Sequence, residues 1–209
     1  MKQENSSMDA FVYVFSSREY MAHRFHPQNA DRLLSEERMQ MIPPPHVIAH
    51  LRIETGHKVA DVGAGPGFFA IPIARHTGAT VYGIDVEPQM LTLLSERAKT
   101  EQVELQTMEA SAESIPLPAK SVDRTLCAFV LHEVPNPTAA LMEFKRITAS
   151  GGFVGIVEWE KKATRHGPPI SERLGRDELT EKLQQAGLNP QEWVDLNEDQ
   201  YLCVCGVLD

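Results

Sequence analysis

Apolar residues along this chain fall into short runs separated by amphipathic stretches, and the two kinds of segment alternate. Runs beginning at Val59, at about Thr80 to Ile84, at about Val103 to Met108 and near Arg124 to Val130 are followed by GFVGIVEWE, and each reads as a buried strand. Helical spacing fills the intervals. It covers the crossover after Gly67, the stretch from about Pro88 to Lys99 with Met90, Leu91, Leu93 and Leu94 toward the core, and PTAALMEFKRIT. A further helix, GRDELTEKLQQAGL, precedes QEWVDL and YLCVCGVL, two alternating runs joined by a polar turn, which is a hairpin signal. Pro72 lies inside the first crossover helix and predicts a kink there. Upstream, one helix is expected around Asp31 to Met41. Another starts in Pro43 to Pro45, where a first-turn proline is tolerated, and is capped by Gly56. Five strand-then-helix units with a closing hairpin predict an α/β fold with a mostly parallel sheet and one antiparallel strand. Nothing divides the chain, so residues 1–209 read as one domain, with about 1–45 as a helical lid and about 46–209 as the core.

The stretch that organises the rest is VADVGAGPGFFAIPIA. It opens as a strand, turns on Gly63, Gly65 and Gly67, and continues as an amphipathic helix. Three glycines let the chain turn sharply and are expected to bring bare backbone N–H groups close to a ligand. The next strand ends in Asp85, where a carboxylate can hold a ribose diol. The unit therefore reads as a βαβ nucleoside binder, set in a Rossmann-like, doubly wound sheet of seven strands. A dinucleotide fingerprint would be G-x-G-x-x-G. Here the third glycine comes one residue early, and Phe68 and Phe69 stand where that fingerprint wants something small. Asp61 would repel a pyrophosphate but suits a cationic ligand.

On these residues the stretch resembles motif I of the class I S-adenosylmethionine (SAM) dependent methyltransferases, whose cofactor carries a sulfonium and an ammonium but no phosphate. SAESIPLPAKSVD, AFVLHEVPNP and ITASGGFVGIVEWE match that pattern in order and spacing. They point to the group that includes the ubiquinone/menaquinone biosynthesis methyltransferases, over roughly Val47 to Glu158. The resemblance implies that Asp61 and the turn Gly63, Ala64, Gly65, Pro66 and Gly67 hold the methionine moiety. Asp85 would take the ribose hydroxyls, and Val86 and Ala112 would line the adenine. Met90, Ser111, Glu113, Ala128 and Phe129 complete the implied cofactor set. Ser111 stands where the family carries an acid, which weakens the hydrogen bond available to the adenine amine.

Composition changes the picture only by exclusion. Apolar residues make up 42% of the chain and charged ones 23%, as in a globular domain. A net charge of −9 argues against nucleic acid as a partner. No apolar run is long enough to span a bilayer, and the polar N-terminus lacks a secretory core, so the expected setting is cytoplasmic. Three cysteines make no disulfide framework. No histidine pair shows metal spacing, so no metal is expected.

The family resemblance implies methyl transfer to a small-molecule acceptor, and His132, with Glu133 beside it, is the candidate base because it lies just past strand four. Glu158 reads equally as an acceptor contact or a solvated strand end, and Trp159 as a hydrophobic wall. His23 and His26 belong to the lid segment and read as surface residues. Cys203 and Cys205 alternate in the last strand, so both thiols face one side, as buried small apolar residues do. Two other functions stay open on sequence: a nucleotide-dependent oxidoreductase, and a SAM-binding protein without catalysis. The acceptor atom and the oligomeric state are left open.

Overall fold

The computed structural model describes residues 30–208. His23, His26 and most of the expected lid segment therefore lie outside the described residues. Among the described residues, seven α-helices and seven strands follow in chain order. They are α1 (Ala30–Leu33), α2 (Glu36–Met41), α3 (Pro44–His50), β1 (Val59–Val62), α4 (Ala70–Thr77), β2 (Val81–Asp85) and α5 (Pro88–Thr100). The second half comprises β3 (Gln106–Glu109), β4 (Val122–Ala128), α6 (Pro137–Ile147), β5 (Thr148–Trp159), α7 (Arg176–Gln185), β6 (Asn189–Asp195) and β7 (Gln200–Gly206).

All seven strands form one sheet in the order β3-β2-β1-β4-β5-β7-β6. Pairing is parallel from β3 through β5, while β7 runs antiparallel to both β5 and β6. The chain winds outward from β1 to β3, then returns to place β4 on the other flank of β1. That reversal opens a crevice above the carboxyl ends of β1 and β4, the place where doubly wound sheets take ligands.

Side chains alternating across the strands build two cores, one on each face. Along β7, Tyr201, Cys203 and Cys205 join Leu141, Phe144 and Ile147 of α6 and Leu179 and Leu183 of α7. Leu202 and Val204, offset by one residue, join Val47 of α3, Ile71 and Ile73 of α4, and Leu94 of α5. This is the period-two pattern of a strand buried on both sides. Cys203 and Cys205 do share a face, with sulfurs 3.8 Å apart and both side chains fully buried.

Several sequence expectations need correction. The Asp31 to Met41 helix is broken at Ser35, whose side chain caps α2 by accepting the Arg38 N–H. α3 ends at His50, so Gly56 caps nothing. It sits five residues past Leu51 with φ +87° and donates its N–H to the Thr77 carbonyl. Pro72 is not inside the helix as expected: α4 starts only at Ala70, which puts the proline in the first turn, where amides have no helical partner anyway. Strand three is also shorter than its apolar run, starting at Gln106, and strand four ends at Ala128.

Candidate functional site

The crevice is the mouth of a cavity of about 790 Å³ that runs along the carboxyl edge of the sheet. At the β3–β2 end it is lined by Ala110, Ser111, Ala112, Asp85, Val86 and Met90. Its middle is Asp61, the turn from Gly63 to Pro66, and Phe68 and Phe69. Toward β5 and β7 come Ala128, Phe129, His132, Trp159 and Gln200, with the loop residues His166 to Pro169. Arg38, Met41 and Ile42 from α2 and its end form the facing wall.

The glycine turn is built by backbone conformation. Gly63, Gly65 and Gly67 have φ of +73°, +52° and +88°, in the left-handed region that favours glycine. A Cβ at Gly63 would lie 2.1 Å from Val130 Cγ2. The expectation of bare amides is not met, however. The N–H groups of Gly63 and Ala64 donate to the Ile84 carbonyl, that of Gly65 to Asp85 Oδ2 at 2.8 Å, and that of Gly67 to the Ala64 carbonyl. A pyrophosphate needs such donors free, so the turn offers close approach without an amide cradle. This argues against the dinucleotide alternative.

Two carboxylates line the cavity, Asp85 toward one end and Asp61 in the middle. Asp85 accepts the amides of Gly65 and, at 2.9 Å, Glu87, so the turn itself aims it. Its pKa is raised, because burial outweighs those amides. Asp61 is 2% exposed and its Oδ2 has no hydrogen-bond partner. Burial, opposed by the Ala70 amide, reinforced by Asp85 and opposed by Arg38, pushes its pKa up to about 7. A buried carboxylate oxygen left open is what a cationic ligand would complete.

Arg38 supplies the other half of the electrostatics. Its guanidinium lies 4.7 Å from the Phe68 ring centroid and 5.2 Å from that of Phe129. Its Nε is buried without a partner, and burial, partly offset by Asp61, lowers its pKa to about 10. Phe129 has a strained backbone, φ +60° where β4 ends, held there by its N–H bond to the Val157 carbonyl at 2.8 Å.

His132 stands on a single helical turn, Leu131–Glu133, directly after β4. Its Nδ1 is 2.8 Å from Glu158 Oε2, and its backbone N–H also donates to Glu158. Nε2 points toward Glu133 at 3.8 Å. Burial alone would lower the His132 pKa, but Glu158 foremost, with Glu133 and Glu172, raises it overall. Glu158 is neither a solvated strand end nor open to an acceptor: it is fully buried against the histidine.

Of the candidate base and the implied cofactor set, thirteen residues line this cavity and two lie outside it. Gly67 packs under α5, where a Cβ would meet Leu94 Cδ1 at 2.4 Å. Glu113 turns away, accepting from Ser111 Oγ at 3.2 Å and the Asn136 amide at 2.9 Å. Arg38 and Gln200 were missed. Gln200 is 1% exposed and its side-chain oxygen lacks a partner, a signal visible only once β7 is placed. Among the described residues no group of three or more acidic, histidine or cysteine side chains is placed to hold a metal, and no helix is long and apolar enough to cross a membrane.

Fold and site together define a doubly wound α/β domain whose cavity presents two carboxylates and a guanidinium at the carboxyl ends of its strands. Residues 60–156 match the family model described as "Methyltransferase domain". The chain is 34% identical over 127 residues to an uncharacterised protein of Mycobacterium tuberculosis (61% of this chain, 46% of that protein). It is 36% identical over 109 residues to a demethylmenaquinone methyltransferase of Tropheryma whipplei (52% and 44%). The chain thus spans less than half the length of the curated relatives it matches. A SAM-dependent methyltransferase from Aquifex aeolicus superposes with TM-score 0.84 at 26% identity, over 88% of this chain and all of that one. Residues 60–156 therefore carry a methyltransferase domain, and the chain is similar to SAM-dependent methyltransferases, a demethylmenaquinone methyltransferase among them.

Proposed function

We propose that this protein transfers a methyl group from SAM to a small, mainly apolar, ring-bearing acceptor, with His132 as the base that takes the acceptor's proton. The observation that carries the reading is Asp61, a buried carboxylate with one oxygen open, facing the cavity beside an unpaired Arg38 Nε. That pair fits the ammonium and carboxylate of a methionine moiety. Asp85 fits the ribose diol, and Val86, Met90, Ser111 and Ala112 fit the adenine. When bound, SAM supplies a methyl group already activated on a sulfonium, so the protein's work is alignment and exclusion of water.

Room for the acceptor follows from strand spacing. Neighbouring strands are roughly 4.8 Å apart, so the interval from β4 through β5 to β7 leaves about 10 Å beyond the cofactor positions. Phe129, Trp159 and Pro168 supply flat apolar walls there, and the Gln200 amide supplies one polar group. One or two fused rings fit that span. The name of the Tropheryma relative, a demethylmenaquinone methyltransferase, supports a small ring-bearing acceptor. With Nδ1 committed to Glu158, Nε2 is the His132 atom available for the proton.

The test is calorimetric titration with SAM, S-adenosylhomocysteine (SAH) and NADH, alongside an Asp85→Ala variant. The expected result is micromolar binding of both adenosyl ligands, lost in the variant, and no binding of NADH. NADH binding would overturn the reading. Radiolabelled methyl transfer to a panel of quinols and phenols then identifies the acceptor. His132→Ala should abolish turnover while leaving SAH affinity intact.

A further inference from the structure

The wall at the acceptor end has no regular secondary structure. Between Trp159 and the short helical turn Ile170–Glu172 the chain runs as a loop, and four consecutive residues of it, His166 to Pro169, line the cavity. A loop of this kind would ordinarily be a poor surface on which to seat a reactant.

Lys161 pairs with Glu178, Glu160 with Arg176 and Lys162 with Asp199 at its start, but one side chain from outside the loop binds its backbone from end to end. Arg173 is 4% exposed. Its Nε donates to the Pro168 carbonyl at 2.8 Å. Nη1 donates to the carbonyls of Glu160 at 3.1 Å and Lys162 at 2.8 Å. Nη2 donates to Thr164 Oγ1 at 2.7 Å and the His166 carbonyl at 3.1 Å. Every partner is a neutral oxygen of the loop, and only a guanidinium offers five N–H donors in one rigid fork.

The same guanidinium lies 5.4 Å from the Trp159 ring centroid. Gly167, with φ +100°, presses so closely on that indole that a Cβ would come within 2.8 Å of it. Arg173, the loop and Trp159 thus form one unit, and Trp159 in turn packs on Phe129 at 5.5 Å between ring centroids.

We propose that Arg173 is the positioning residue of the acceptor end: acting through the 160–169 loop and Trp159, it fixes the wall against which the methyl acceptor lies. This rests on the methyltransferase reading above for what the wall receives, but its test needs no acceptor. The loop carries three exposed trypsin sites, Lys161, Lys162 and Arg165.

The experiment compares Arg173→Ala and Arg173→Lys with the parent in a Trp193→Phe background, so that Trp159 is the sole indole. Limited trypsin digestion, acrylamide quenching of Trp159 and SAH titration are measured on each, with and without millimolar guanidinium. In Arg173→Ala, nicking within the loop should quicken about tenfold, because cleavage follows the open population. Quenching should rise, SAH affinity should hold within about twofold, and added guanidinium should reverse the first two effects. Arg173→Lys, with three donors in place of five, should fall between. Unchanged nicking and quenching, full retention by lysine, failure of guanidinium to restore the loop, or a parallel loss of SAH affinity would each overturn the proposal. Failure of the parent protein to bind SAH would instead sink the methyltransferase reading and leave the loop result standing by itself.

Discussion

The His132 imidazole holds its Nδ1 2.8 Å from Glu158 Oε2, across 26 residues of sequence and two adjacent strand ends, with both side chains shut away from water. The contact sets the tautomer and the basicity of the candidate base together. Burial pulls the imidazole pKa down, and the Glu158 carboxylate more than offsets it. An NMR titration of the His132 ring should therefore give a value above 6.5, and Glu158→Gln should drop it below, since burial then acts with its main opponent removed. Turnover limited by this base should climb with pH through the same inflection. For stability, a raised folded pKa contributes fully below the unfolded value and is lost as pH rises through the folded one. The destabilisation by His132→Asn should thus be larger near about pH 6 than near about pH 9. A titration that does not move in Glu158→Gln would refute the coupling.

Asp61 presents the opposite balance. Its pKa is pushed up to about 7 from 3.8, so the cofactor-free fold keeps the proton longer than the unfolded chain does. Stability is then lost as pH rises from about 4 to about 7, and stays lost above that. Asp61→Asn should accordingly stabilise the free protein at about pH 8, on the order of 2–4 kcal/mol, seen as a rise of several degrees in Tm. The same variant should weaken SAH binding by about tenfold or more, because a charge-assisted bond is worth about 1.5–3 kcal/mol. Weakened SAH binding with no gain in Tm would mean that Asp61 is not an uncompensated buried charge.

Much of this architecture is legible in the chain, because buried parallel strands leave apolar runs and glycine turns leave glycines. The strand pairs and the residues from Asp61 to Asp85 could be read for that reason. Arg38 could not. Its role comes from standing over Phe68 and Phe129, which are 30 and 91 positions away, and no periodicity records that. Glu158 was ambiguous because a charged residue at a strand end is usually solvated. Only the placement of β4 beside β5 puts His132 on it. The bare amides expected from the glycine turn failed for a related reason: whether an N–H is free depends on what Ile84 and Asp85 do one strand away.

Glu113 shows the limit of carrying a motif position across. Its carboxylate accepts the Asn136 amide just before α6 in an exposed position, so Glu113→Ala should cost about 1 kcal/mol of stability, as loss of a solvent-exposed hydrogen bond does. SAH affinity should stay within about twofold of the parent. A selective loss of SAH binding at unchanged stability would restore Glu113 to the cofactor site.

Gly67 makes the same point sterically, and its test separates packing from ligand contact. A Cβ there would lie 2.4 Å from Leu94 Cδ1 and 3.3 Å from Ile71 Cδ1, at a backbone φ of +88° that disfavours side chains. Gly67→Ala should therefore destabilise by about 2 kcal/mol or more, combining the conformational and the overpacking costs. Trimming the obstacle should recover part of that loss. The double variant with Leu94→Ala should be more stable than the sum of the two single changes by about 1 kcal/mol, the coupling expected of two groups in contact. The folded fraction of Gly67→Ala should bind SAH with parent affinity, since the glycine faces α5 and not the cavity. Additive effects in the cycle, or an SAH affinity that falls with Gly67→Ala and is not recovered in the double variant, would return Gly67 to the ligand turn and make the close packing incidental.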